Sequence, residues 1–157
     1  MFKLSRLAFV TVVSIILVQF EPATASSESF ASPCPDLGGQ YTCEYKGYVV
    51  SVNVEEKRFS NHSSYTVSHI MGSLTFIADG KNHFIPEVPG FKKAKNFNYQ
   101  ANCHGKMVQF AGTGEMTNGS GRATMHGDLT QTAQGVQINS TIVTPKKTYN
   151  DRFRCTR

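Results

Sequence analysis

The chain has 157 residues, of which 39% are hydrophobic and 11% aromatic, with a formal charge of +5 and four cysteines. That length excludes two ordinary domains and leaves room for one with a real core. The mild basic balance permits weak attraction to polyanions such as lipopolysaccharide without implying it, and no nucleic-acid partner is expected from it.

The first element is a leader. Lys3 and Arg6 precede an apolar run from Leu7 to Val18, which ends before Glu21, Pro22 and the small triplet Ala23-Thr24-Ala25. A charged start, a hydrophobic stretch short for a bilayer and an A-x-A site are the three parts of a Sec-type signal peptide. Cleavage is expected at about Ala25/Ser26, which makes the mature protein secreted or periplasmic. Residues 1–25 hold Lys3, Arg6 and Glu21, a net of +1, so the remaining 132 residues carry +4. No later stretch approaches the roughly 20 apolar residues of a transmembrane helix, so the mature chain should have no integral membrane segment. Cys34 lies well past the cut, which argues against a lipid anchor.

Residues 26–33 are small and polar and read as a flexible lead-in to a single domain at 34–157. From Gln40 the dominant period is two. Tyr41, Cys43 and Tyr45 share one phase, and Tyr48, Val50, Val52 and Val54 the other, so a tight hairpin or bulge belongs at Lys46-Gly47. The cleanest alternation is Phe97, Tyr99, Ala101 and Cys103 against Asn96, Asn98, Gln100 and Asn102. Met125 and Leu129, then Ile138 and Ile142, continue it. Turn signals fall between the runs, of which Asp79-Gly80 and Asn118-Gly119 are the strongest.

Strands are therefore expected near 40–46, 48–56, 64–70, 73–79, 96–103, 106–116, 121–131, 135–143 and 148–156. Residues 81–95 contain Pro86, Pro89 and Gly90 and are expected to form an irregular flap. No segment carries a helical period. A meander with no covering helix must close on itself to bury its apolar face, which predicts an all-β up-and-down barrel of eight or nine strands, with an antiparallel sandwich as the alternative.

Cys34, Cys43, Cys103 and Cys155 form an even set in an exported chain and are expected to make two disulfides. No C-x-x-C pair is present, which argues against a redox site or zinc ribbon. Of the three connectivities, Cys34–Cys43 with Cys103–Cys155 is slightly favoured, because the first pair would close a short turn-forming loop.

Gly39-Gln40-Tyr41 on the first strand, with Arg152 and Arg154 on the last, resembles the lipocalin/calycin signature. In that family a G-x-W motif opens the barrel and a basic residue near the chain's end packs over the tryptophan. Tyr41 stands here in the tryptophan's place. The opening Cys34-Pro35-x-Leu37-x-Gly39-x-Tyr41-x-Cys43 is also similar to that of small exported bacterial proteins. The calycin resemblance implies a barrel with one open end and an internal apolar pocket, and names no ligand.

Candidate chemistry is sparse. Glu55 and Glu56 are the only acidic neighbours, and adjacent strand residues point to opposite faces, so they do not form an acid/base pair. No G-x-S-x-G elbow or phosphate loop is present. His62, His69, His83, His104 and His126 lack metal-ligand spacing, so no metal and no cofactor are expected; His69 shares the apolar phase and is expected to point inward. The triplets at Asn61, Asn118 and Asn139 are glycosylation acceptors only in a eukaryotic secretory pathway.

The aromatics Tyr41, Tyr45, Phe76, Phe97, Tyr99, Phe110 and Phe153 are core positions that would also line a ligand cavity if the barrel is hollow. Gly112 and Gly114, in the inward phase, would leave room for bulky neighbours or for a ligand. Lys92, Lys93 and Lys95 are interleaved with aromatics and are a candidate anion site, joined by the basic tail of Lys146, Lys147, Arg152, Arg154 and Arg157 if the two converge. As solvated lysines they would instead discourage strand aggregation. The expected protein is thus a non-enzymatic, lipocalin-like binder of a small apolar or amphipathic molecule. The alternative is a structural or interaction protein of the envelope with a filled barrel and functional loops. A secreted enzyme or enzyme inhibitor is the third reading, with no motif behind it.

Overall fold

The computed structural model describes residues 34–157. The signal peptide expected at 1–25 and the lead-in expected at 26–33 lie outside the described residues. The strands are β1 (Gly39–Tyr45), β2 (Tyr48–Arg58), β3 (Ser63–His69), β4 (Gly72–Ala78), β5 (His83–Val88), β6 (Phe91–His104), β7 (Met107–Met116), β8 (Arg122–Gln131), β9 (Gly135–Val143) and β10 (Thr148–Thr156). All pairings are antiparallel, in the order β4-β3-β2-β1-β10-β9-β8-β7-β6-β5. Since β1 pairs with β10, the ends of the meander meet in the middle of the sheet, and the free edges are β4 and β5. The sheet is a nearly closed barrel, not a sandwich.

Side chains close the seam. The Tyr99 hydroxyl on β6 accepts from the Ile77 amide at 3.0 Å and donates to the Thr75 carbonyl at 3.4 Å, both on β4. Burial, the larger cause, raises the pKa of that hydroxyl and keeps it a donor. The Gly80 amide donates to the Ala101 carbonyl at 3.0 Å.

The expectation of eight or nine strands is corrected to ten, because residues 81–95 form β5 and the start of β6 in place of a flap. Pro86 is tolerated because β5 is an edge strand, where a missing N–H breaks no ladder on its free side. The even alternation was hidden by a bulge. Asn96 has φ 55° and the β6–β7 register shifts between Lys95 and Asn98, so the inward positions step from Ala94 to Phe97. The phase change at Lys46-Gly47 is a two-residue hairpin turn with φ 50° and 83°, the positive pair of a type I′ turn.

The disulfide pairing is also corrected. Cys43 and Cys155 are in register across β1 and β10 and are bonded, while Cys34 reaches Cys103 at the end of β6. Residues 34–38 do not fold back on β1 as a local loop. They run under the barrel at the end of the β2–β3, β4–β5, β6–β7 and β8–β9 turns, with the Leu37 side chain 0% exposed. The Tyr65 hydroxyl donates to the Pro35 carbonyl at 2.8 Å and the Tyr41 hydroxyl to the Leu37 carbonyl at 2.9 Å. The segment is a floor.

The outer face is polar, with Gln100, Gln109, His126 and Arg152 exposed. A membrane-spanning barrel needs the reverse alternation. Among the described residues no helix is long and apolar enough to cross a membrane.

Candidate ligand cavity

An eight-stranded barrel is just filled by its own side chains, and added strands widen it. Here ten strands leave an interior cavity of about 740 Å³. Val52, Val67 and Leu74 line one side, and Met125, Leu129 and Ile142 the other. Phe76 and Phe110 stack in it with ring centroids 4.3 Å apart. Below the rim the lining is aliphatic and aromatic apart from Ser140, and every buried side-chain nitrogen and oxygen among the described residues has a partner.

The cavity opens at the end of the barrel formed by the β1–β2, β3–β4, β5–β6 and β9–β10 turns, and this rim is polar and basic. On one side, Tyr45 stacks on Phe153 with centroids 4.4 Å apart and donates to Asp151 Oδ1 at 2.6 Å. Lys46 Nζ lies 2.7 Å from both the Tyr45 hydroxyl and Asp151 Oδ1. Burial, then the Asp151 hydrogen bond, raises the Tyr45 pKa, and the Asp151 hydrogen bond raises that of Lys46. This lysine is neutralised by its carboxylate.

Across the mouth, Lys93 Nζ donates to the Tyr149 hydroxyl at 2.7 Å. Lys93 and Lys147 lie over the Tyr149 ring at 5.1 and 5.3 Å from its centroid, and Phe91 meets that ring edge-on. Lys92 lines the same rim. Among the described residues Lys92, Lys93 and Lys147 make no ion pair, so positive charge is left uncompensated at the entrance to an apolar space.

His69 sits between rim and wall, 5.9 Å from the Phe153 ring. Its Nδ1 accepts from the Met71 amide at 3.2 Å, which places the ring proton of the neutral form on Nε2. Burial lowers its pKa and Asp151 opposes that shift. No group of three or more His, Cys, Asp or Glu side chains among the described residues is placed to hold a metal.

No protein-family model and no curated protein matches the chain. Among solved structures it is similar to the REP1-NXSQ fatty acid transporter, at 10% identity over 78% of this chain and 97% of that one, with a TM-score of 0.46. It is similar also to a point mutant of that transporter, at 11% identity over 76% of this chain and 97% of that one, with a TM-score of 0.45. At these values the likeness carries nothing about what this chain binds.

Of the aromatics singled out from sequence, Tyr45, Phe76, Phe110 and Phe153 line the cavity, whereas Tyr41, Phe97 and Tyr99 lie off it. Tyr41 is turned to the floor, Tyr99 holds the seam and Phe97 is fully buried against Gly114. A Cβ at Gly112 or Gly114 would come within 2.8 Å of Tyr99 or Phe97, so the room left by these glycines is taken by rings and not by ligand space. Lys92 and Lys93 stand at the mouth, while Lys95 points outward opposite Glu115. Of the basic tail read from the sequence, Lys147 reaches the rim, while Arg152, Arg154 and Arg157 do not. Tyr149, on one face of β10 with Phe153, was not foreseen as a rim residue, because it comes next to Lys93 only through barrel closure. The aliphatic lining was in the inward phase but carried no chemical signal beyond that of core.

Proposed function

We propose that this protein is an exported binder that takes the apolar body of an amphipathic molecule into the barrel and keeps its anionic end at the mouth. The observation that carries this is the cavity of about 740 Å³, walled mainly by aliphatic and aromatic side chains and opening beside lysines that make no ion pair among the described residues. The volume falls within the roughly 300–1,000 Å³ of small-molecule sites. A solid envelope protein would have no such space, and an enzyme would need converging reactive groups that the wall does not offer. Two disulfides fit an oxidising compartment outside the cytoplasm. Arg157 over the Tyr41 ring supports the calycin resemblance, with Arg157 in the role expected of Arg152 or Arg154.

Each methylene moved from water into the barrel contributes about 0.8 kcal/mol before the costs of ordering the chain, so affinity should climb with chain length until the cavity is full. Titration of the delipidated mature protein with the fluorescent fatty acid parinaric acid tests this. Saturable one-to-one binding, displaced better by long than by short fatty acids and weakly by the matching alcohols, is expected. No saturable binding, together with a native mass free of any adduct, would overturn it.

A further inference from the structure

Of the seven large apolar side chains left exposed among the described residues, four gather in two neighbouring turns, while Phe59 and Phe84 lie toward the floor end and Val143 at the end of β9. Tyr48, Val49, Ile70 and Met71 are 72, 77, 90 and 47% exposed, and all four sit at the cavity mouth, in or beside the β1–β2 and β3–β4 turns. The first pair is pushed outward by the register. β2 pairs with β3 only from Asn53 onward, so the β1–β2 hairpin projects past the neighbouring turn and carries Tyr48 and Val49 into solvent. The second pair is held by packing. A Cβ on Gly90 would lie 3.0 Å from Met71 Sδ, and one on Gly72 would lie 3.0 Å from Pro89 Cβ, so the β3–β4 turn is braced on the β5–β6 turn with Ile70 facing out. Clustered exposed carbon of this kind marks an interaction surface.

The same rim carries Lys92, Lys93, Lys146 and Lys147, exposed and without ion pairs among the described residues. Apolar tips ringed by unpaired lysines match the layering of a bilayer interface, where carbon enters the acyl boundary and ammonium groups meet anionic headgroups. Apolar burial and headgroup attraction add, so a surface that offers both binds an anionic bilayer more strongly than either would alone. We propose that the mouth docks on an anionic lipid surface, so that the cavity opens onto the bilayer. The docking goes beyond ligand binding and shares Met71, Lys92, Lys93 and Lys147 with the cavity rim, whereas Tyr48, Val49, Ile70 and Lys146 do not line the cavity and allow the two to be tested apart.

The test is flotation of the mature, oxidised protein with phosphatidylcholine vesicles and with vesicles part-substituted by phosphatidylglycerol. Binding is expected to the anionic vesicles alone and to fall with added salt. Lys146→Gln should lower the partition about five-fold. The double variant Val49→Ser/Ile70→Ser should lose vesicle binding while its parinaric acid titration in solution stays unchanged, which shows it folded. No flotation with anionic vesicles, or flotation untouched by the double variant, would overturn the proposal. So would self-association through these tips, seen by sedimentation velocity, in place of vesicle binding. Fatty acid binding without vesicle binding defeats the docking alone; vesicle binding without fatty acid binding defeats the carrier alone.

Discussion

The guanidinium of Arg157 lies 5.5 Å from the centre of the Tyr41 ring and donates to the Gly38 carbonyl at 2.8 Å. The last residue of the chain thus clamps the junction where the floor segment turns into β1. Tyr41, held from above by Arg157, holds the floor below through its bond to Leu37. One end of the barrel is shut by a relay that begins at the C-terminus.

Tyr65 is the second fastening of that floor. Burial is the main cause that pushes its hydroxyl up to about 12, so it remains a donor to Pro35 at any physiological pH. Tyr65→Phe leaves the Pro35 carbonyl without this donor and should cost about 1–2 kcal/mol. Urea denaturation of the oxidised protein checks it, and an unchanged midpoint would mean that Tyr65 does not fasten the floor.

The disulfide between Cys34 and Cys103 closes a separation of 69 residues. Replacing both cysteines by serine should lower stability by about 2–4 kcal/mol, chiefly by freeing the unfolded chain. Peptide mapping without reduction should recover Cys34 with Cys103 and Cys43 with Cys155. A Cys34–Cys43 peptide would contradict the floor.

Filling the cavity should separate binding from folding. Ile142 lines the hollow and has room in front of it. Ile142→Trp is expected to abolish parinaric acid binding with less than about 1.5 kcal/mol of stability lost, since the added ring enters empty space and not packed core. Retained affinity would place the ligand elsewhere.

His69 supplies a pH dependence. Burial holds its imidazole below the ordinary 6.5, so the unfolded chain takes up this proton at a higher pH than the folded one. Stability is then full above about pH 6.5 and falls as the pH drops toward the lower folded value, below which the loss levels off. His69→Gln should flatten that part of the profile in denaturation at pH about 7.5 and about 5. Parallel profiles for the two proteins would assign the loss to other groups.

The alternating phase made the barrel legible, because a one-residue slip would turn every inward ring out to water. The flip of phase between Tyr45 and Tyr48 placed the Lys46-Gly47 hairpin. β5 escaped because its proline, excused by the edge position, and the Asn96 bulge on neighbouring β6 each erase the local pattern. The disulfides and the floor escaped for a different reason. Nothing in residues 34–38 states that they run beneath the barrel, since the pairing of Cys34 with Cys103 is fixed by tertiary packing. The rim was half legible: Lys92 and Lys93 are adjacent in sequence, whereas Lys147 and Tyr149 join them only once β10 lies in the sheet.

The floor has a consequence for when the protein becomes usable. Its base is bolted by a bond between two cysteines that a reducing cytoplasm keeps apart. Without that bond residues 34–38 are held only by the packing of Leu37 and by hydrogen bonds such as those from Tyr41 and Tyr65, so the redox state of the surroundings sets how firmly the barrel is shut below. Under the proposed function, oxidation of the container then decides where it can be filled.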